Sequence, residues 1–506
     1  MSNEPTGRKT RIFKNGIYSA LSWVFPIIFA FIVTPIVVQG LGDELYGLYA
    51  VIIGFISYSF TFGIGKTAAK YVSEYKATGE FDKISETVSA ALWLSLSIGI
   101  VGAGIVALTA DRLVSNVLRI PPPLHDTAII AIYLAGLTIL MTMLSQVFQY
   151  VLQGLQRFDR FVFLTNVSVF LLNLGSVAIV VYGYGVLGLL VWNLIVAGVM
   201  GAAFYLSARR MLPEFTFRFA IDRQLWRASV KYALSIIVYQ VFANILLLFE
   251  RFWVVRKFGT EALTFYVVPM MVGLYFHSFV SSLVLVLFPV FNELLADRRT
   301  LTRLYQTSTK IILTLAAFFF VTATVTGRVF LTVWMKGTFP PESYAILVFH
   351  AFTFGILSIT VVVWQMNESH RLASLNAIVT IIWLAISAPL MVILSDDWGT
   401  IGVAFARLAG VVVFLALIIV AEKNFLGGVL FRFWTSMLLR LVAAAALTGF
   451  AECVTIGLLP SNWFALIVVG SLGLAVYVAT LLALGFLRAG EREVLRDLIL
   501  NWRAAK

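Results

Sequence analysis

Charge is what this sequence has least of. Asp, Glu, Lys and Arg make up 12% of its 506 residues, against about 25% in an ordinary soluble chain. Hydrophobic residues make up 60%, and mean hydropathy is +0.95. Water cannot be the main solvent of such a chain. A single cysteine, Cys453, excludes an intrachain disulfide and a thiolate cluster, and four scattered histidines form no metal set. "FGIGKTAAK" (62–70) has Phe60 where a phosphate-binding loop needs its first glycine, so no nucleotide cassette is expected. There is no nucleophile elbow and no cluster of acids on long loops. The chain is therefore not read as an enzyme, and neither a cofactor nor a metal is expected.

What remains is a series of apolar runs of about twenty residues, the length needed to cross a bilayer core as helix. Backbone amides in lipid must be satisfied internally, which leaves helices or closed barrels. Runs such as Ile311–Val325 and Val411–Ala421 lack the two-residue alternation of a barrel strand. The fold expected is an all-α polytopic membrane protein with about fourteen spans. The first seven are placed near 16–38, 45–65, 86–109, 127–152, 160–182, 186–207 and 230–254. The others are placed near 262–290, 307–334, 344–366, 372–394, 400–421, 434–458 and 463–487.

If the chain starts inside, 29 of its 37 basic residues fall on inner segments and six on outer ones. The positive-inside bias thus puts both termini in the cytoplasm. It also explains the net charge of +12 without nucleic acid, because basic loops orient a membrane protein and touch anionic lipid heads.

"VVQGLGDELYGLY" (37–49) returns as "VVRKFGTEALTFY" (254–266), with Gly42, Glu44 and Tyr49 matching Gly259, Glu261 and Tyr266 at an offset of 217. "RIPPPLHDTA" before span 4 echoes "TFPPESYA" before span 10. "YGVLG" (184–188) echoes "WGTIG" (398–402), and Arg157 pairs with Arg371. Six spans are duplicated in one orientation, a parallel repeat about an axis along the membrane normal. The expected organisation is an N-lobe over 1–207, a cytoplasmic linker over 208–229 and a C-lobe over 230–422. Two extra spans follow over 423–488, and an amphipathic cytoplasmic tail over 489–506.

Polar groups at membrane depth are costly and usually face a cavity. Gln240, Asn244 and Arg251 fall on one face of span 7, within about 40° at 3.6 residues per turn. Asn15, Ser19, Ser22 and Pro26 share a face of span 1. Span 2 adds Tyr46, Ser57 and Thr61, and span 8 adds Tyr266, Pro269, Gly273 and His277. As the first pair of each repeat, these four spans should meet at the axis and line a polar chamber. The bland readings stand beside this one. Hydroxyls can bond their own helix, prolines can merely kink, and Arg251 can snorkel outward. Glu250 can pair with Arg256 or another neighbour. Arg407 lies deep in span 12 where the first repeat has Asn193, and requires either a function or a buried partner. His350 reads as a helix-contact residue.

Asn15, Gly16, Pro26, Pro35, Leu41, Gly42, Tyr46, Gly47 and Leu48, followed by "KTAAKYVSEY" (66–75), give an opening that resembles the polysaccharide-exporter branch of the multidrug/oligosaccharidyl-lipid/polysaccharide superfamily. The 6+6+2 layout is similar too. The resemblance implies a Wzx-like flippase for a polyprenyl-diphosphate-linked oligosaccharide in the bacterial cytoplasmic membrane, serving O-antigen or other surface-polysaccharide synthesis. It implies alternating access between two lobes, with Arg251, Arg407, Gln240, Asn244 and His277 as headgroup contacts and Lys66 at the inner mouth. Tyr46, Ser57 and Tyr266 complete the expected lining. Partners would be the lipid-linked oligosaccharide, membrane lipids, a polysaccharide polymerase and a chain-length regulator. A multidrug or other amphiphile exporter, or a lipid II flippase, is the alternative within the superfamily.

Overall fold

The computed structural model describes residues 26–59, 65–212, 215–218, 223–285, 297–337, 339–369 and 372–486. Among these residues the regular structure is helical. The elements are α1 (Pro26–Leu41), α2 (Asp43–Ser59), α3 (Gly65–Thr78), α4 (Phe81–Arg112), α5 (His125–Gly154), α6 (Phe158–Val181) and α7 (Gly185–Met211). There follow α8 (Arg223–Leu285), α9 (Arg298–Trp334), α10 (Glu342–Ser369), α11 (Ala373–Val411), α12 (Leu415–Ala421), α13 (Phe431–Leu458) and α14 (Trp463–Ala483). Among the described residues ten helical stretches are long and apolar enough to cross a bilayer. The expected spans fall on helix where they are described, except at their edges, where Tyr182, Leu372, Leu484, Gly485 and Phe486 are not helical. Asn15, Ser19, Ser22, Thr61, Arg371 and the 489–506 tail lie outside the described residues.

The repeated junctions have a common cause. α8 breaks at Gly259 (φ +90°), and the equivalent Gly42 (φ +80°) separates α1 from α2. α11 breaks at Gly399 (φ +59°), and the equivalent Gly185 (φ +65°) opens α7. A left-handed backbone strongly favours glycine, so the duplicated letters mark duplicated turns.

The chain forms two compact units, Met1–Met271 with Ser374–Val413, and Val272–Ala373 with Phe414–Lys506. In the first, α5 is the central post, packed by α2, α3, α4 and α7 around Val72, Ile84, Val147, Leu152 and Phe204. Gly154 lets α5 approach α3 closely, since a Cβ there would stand 2.7 Å from the Ala69 carbonyl oxygen. The connection after α7 docks rather than hanging free. Thr216 and Arg218 donate backbone N–H groups to Ser85 and Ser89 of α4, and the Arg218 guanidinium pairs with Asp82 and Glu86.

In the second unit α9 packs against α10, α13 and α14 around Leu313, Met437, Leu441, Ala444 and Tyr477. Gly273 brings the end of α8 against α10, where a Cβ would lie 2.8 Å from the His350 carbonyl oxygen. His350 is fully buried at this helix contact. The outer faces of α13 and α14 expose Leu439, Phe450, Leu458 and Phe464, as hydrocarbon surroundings require.

Candidate functional site

The turns at Gly42, Gly185, Gly259 and Gly399 set the depth of a polar layer in the first unit. Tyr49 and Ala50 follow Gly42 by seven and eight residues, and Asn193 follows Gly185 by eight. Glu250 and Arg251 precede Gly259 by nine and eight, Tyr266 follows it by seven, and Arg407 follows Gly399 by eight. At 1.5 Å per residue all lie roughly 10–14 Å from the turn end of their helices.

The two repeats fill this layer with the same pair of positions and different chemistry. In the first, Asn193 donates to the Tyr49 hydroxyl at 3.5 Å and to the Leu189 carbonyl at 2.8 Å. Tyr266 and Arg407 are their equivalents in the second, and Glu250 joins them. Tyr266 donates its hydroxyl to one oxygen of Glu250, and Arg407 donates Nη1 to the other. All three side chains are buried, and the guanidinium carbon lies 5.4 Å from the centre of the Trp383 ring. The first-repeat equivalent of Glu250 is Val33. The cation and the carboxylate therefore occur together in the second repeat, and each explains the other's presence. Arg407 thus has the buried partner that its depth demanded. Arg256, the other partner considered for Glu250, instead donates to the carbonyls of Asn116 and Val117.

Arg251 takes neither a solvent nor a snorkelling position. It is 5% exposed, and Nη1 donates to the Ala50 carbonyl of α2 at 2.8 Å. Its guanidinium carbon lies 5.5 Å from the Tyr58 ring centre, and Nε has no hydrogen-bond partner. Gly54 makes room for it, since a Cβ there would fall 2.6 Å from Arg251 Cδ. Arg251 therefore ties the second repeat to the first.

Two further contacts nearer the turns show how the repeats meet. A Cβ on Gly47 would lie 1.7 Å from the Thr260 carbonyl oxygen, so the two backbones touch there. Thr264 donates its hydroxyl to the Asp43 carbonyl at 2.6 Å. Under the offset of 217, Gly47 corresponds to Thr264 and Thr260 to Asp43. The contacts 47–260 and 264–43 are thus each other's counterparts, as a twofold axis between α2 and the second part of α8 requires. Tyr46 is buried beside this seam with its ring 6.1 Å from that of Tyr49. Lys257, near the turn, bonds Ser395 at 2.8 Å and pairs with Asp396.

The remaining expected residues are dispersed. Asn244 is half-buried on α8, and Ser57 is exposed on α2. His277 lies in the second unit, 3.2 Å from the Ser358 hydroxyl and 3.4 Å from that of Ser281. Gln240 and Lys66 are on helices, but their side chains lie outside the described set. Two buried carboxylates of the second unit passed unnoticed in the sequence. Glu422 accepts from Tyr305, Trp434 and the Leu430 amide. Glu452 accepts from Thr322 at 2.7 Å against Gly473. The available signal was a carboxylate standing in or at the end of an apolar run. Among the described residues no three metal-ligating side chains gather.

Comparison with known structures defines the class. The fold is similar to the lipid II flippase MurJ in an inward closed conformation, with a TM-score of 0.70 at 14% identity over 96% of this chain and all of that one. It is also similar to an inward-facing multidrug resistance MATE family transporter of the MOP superfamily, with a TM-score of 0.67 at 15% identity over 79% of this chain and 94% of the other. At these identities the likeness is one of fold, and this is a multi-pass membrane protein with the MATE/MurJ fold.

The family follows from sequence. Residues 12–295 match the model of the polysaccharide biosynthesis protein family, and the chain belongs to that family. A curated relative described as "Putative O-antigen transporter", from Shigella flexneri, is 22% identical over 261 residues. That match spans 51% of this chain and 61% of the relative's length.

Proposed function

We propose that this protein is a flippase that carries a polyprenyl-diphosphate-linked oligosaccharide from the inner to the outer leaflet of the bacterial cytoplasmic membrane. The pair of counterpart contacts, Gly47 on Thr260 and Thr264 on Asp43, carries this reading. Two equivalent bundles that touch about a twofold axis at one end can part there and close at the other, which is alternating access. The lobes are the repeats 1–207 and 230–422, and the glycine turns face outward, as the distribution of Lys and Arg suggests.

In this state the outer end is held shut by the backbone seam and by Arg251 on Ala50. The lipid tail stays in the bilayer while the diphosphate and sugars enter from the inner side. Lys66 is assigned to that mouth, and Gln240, Asn244 and Arg251 follow one another at intervals of four and seven residues along α8. Arg407 is committed to Glu250, so its role is to fix the helices that carry Arg251 and Tyr266. Membrane lipids, a polymerase and a chain-length regulator complete the setting.

The test is complementation of a flippase-null cell. Arg251→Ala is expected to reach the membrane at wild-type level and fail to restore surface glycan. Full restoration would remove Arg251 from the mechanism. Restoration of drug efflux instead of glycan by the wild-type protein would transfer it to the exporter branch.

A further inference from the structure

A basic site lies within the second compact unit, and it is independent of the flippase reading. Two adjoining cavities of about 320 and about 490 Å³ share Gln306 of α9 as a wall. Lys310, Arg432 and Arg440 line the first, and Arg298, Arg299 and Arg303 line the second. Six cations thus converge on one end of α9 and α13.

Part of this wall is built rather than merely solvated. Arg440 donates to the Gly485 carbonyl at 3.1 Å. Lys310 donates to the Phe486 carbonyl, with its ammonium 4.5 Å from the centre of that ring. Arg298 lies against the turn at Gly427, beside the second, open cavity. Its Nη2 is 1.4 Å from where a Cβ on Gly427 (φ +84°) would stand, so a side chain there would displace the guanidinium.

Of the nearby acids, Glu422 does not neutralise the cluster. Glu422 is fully buried and accepts from Tyr305 at 2.8 Å, Trp434 at 2.6 Å and the Leu430 amide at 2.8 Å. Asp297 faces Arg299, and among the described residues no carboxylate forms an ion pair with Arg303 or Arg432. Like charges lining adjoining cavities repel one another, and an anion between them relieves this. The donors available, guanidinium forks with the Thr307 and Ser436 hydroxyls, suit a tetrahedral oxyanion with several acceptor oxygens.

The rim says which oxyanion. Phe431 is 72% exposed and Leu439 73%, and they adjoin Arg432 and Arg440 in the chain. Apolar side chains bordering a cationic pocket at a helix end fit a phosphate whose glycerol and acyl chains continue along the bundle. We propose that this double cavity binds the phosphate headgroup of an anionic phospholipid.

The test uses the purified full chain in a neutral detergent and follows Tm. Phosphatidylglycerol is expected to raise Tm saturably, by roughly 2 °C or more, while phosphatidylcholine leaves it unchanged. Arg303→Gln/Arg432→Gln should lose at least half of the shift, and Arg160→Gln/Arg209→Gln, two basic side chains elsewhere on the surface, should keep it. Inorganic diphosphate should give a smaller shift with the same dependence on Arg303 and Arg432. A diphosphate shift equal to or larger than that of the lipid would assign the cavity to a free anion and overturn the lipid reading. Equal phosphatidylglycerol shifts in wild type and double variant, equal shifts with both lipids, or no lipid shift would overturn the site itself. If the double variant does not fold, Arg432→Gln alone, at an exposed position, must lose a measurable part of the shift. An unchanged shift there overturns the site as well.

Discussion

Replacing Arg407 by methionine leaves the Glu250 carboxylate buried with Tyr266 as its remaining donor. Both side chains of the ion pair are 1% exposed, so solvent screening does not soften the loss. Breaking such a pair from one side costs about 3–5 kcal/mol, because a charge stays behind without its partner. Glu250→Gln strands the guanidinium and should cost a similar amount. Removing both charges together is a different operation. Glu250→Gln/Arg407→Met keeps an acceptor for Tyr266 and fills the space of the arginine stem. It should fall within about 2 kcal/mol of wild type, so the coupling is on the order of 3 kcal/mol or more. Denaturation in mixed micelles of neutral detergent and dodecyl sulfate gives the three differences directly. Additive single losses, or an Arg407→Met protein within about 1 kcal/mol of wild type, would refute the pairing as the reason for Arg407. Glycan export by the same double variant decides what the pair is for. Recovered stability without recovered export assigns the charges to the transport cycle, and recovery of both assigns them to the architecture alone.

The first repeat offers a contrast, since Asn193→Leu removes a neutral hydrogen bond to Tyr49 and should cost only about 1 kcal/mol in the same assay. Gly47→Val places a side chain on the Thr260 carbonyl and pushes the repeats apart, so export should fall at least about tenfold while the protein still reaches the membrane, as read by surface glycan per copy. Glu422→Leu leaves Tyr305, Trp434 and the Leu430 amide without their acceptor; a loss of about 3 kcal/mol or more is expected from the mixed-micelle titration. Arg218→Ala frees the connection after α7 from Asp82 and Glu86, and limited trypsin digestion should then cut at Arg209 or Arg210 several-fold faster.

Much of this was legible in the letters, for physical reasons. Gly42 with Gly259 and Gly185 with Gly399 could be read as paired turns because a left-handed backbone leaves little choice of residue. The apolar runs gave the helices because lipid leaves the backbone no other partner. That Arg407 needed a partner could be read from its depth. Which partner could not, since Glu250 is 157 positions away and its pairing depends on two turns bringing three helices together. The Arg251 contact was invisible for another reason. Its acceptor is the backbone oxygen of Ala50, and a carbonyl leaves no mark in a sequence. The docking of Thr216 and Arg218 on α4 was hidden in a stretch that read as a cytoplasmic linker. The compact units divide at Met271 and Ser374, where packing changes and the letters do not.

The most direct test of the central claim labels Glu44 and Glu261, equivalent exposed positions on the two repeats, with nitroxides in a Cys453→Ala background and measures their separation by pulsed electron resonance. In membranes supplied with lipid-linked oligosaccharide, two separations are expected, a short one for the closed seam and a longer one for the open seam. Gly47→Val should abolish the short one. A single narrow separation, the same with and without the lipid and unaffected by Gly47→Val, would contradict the account.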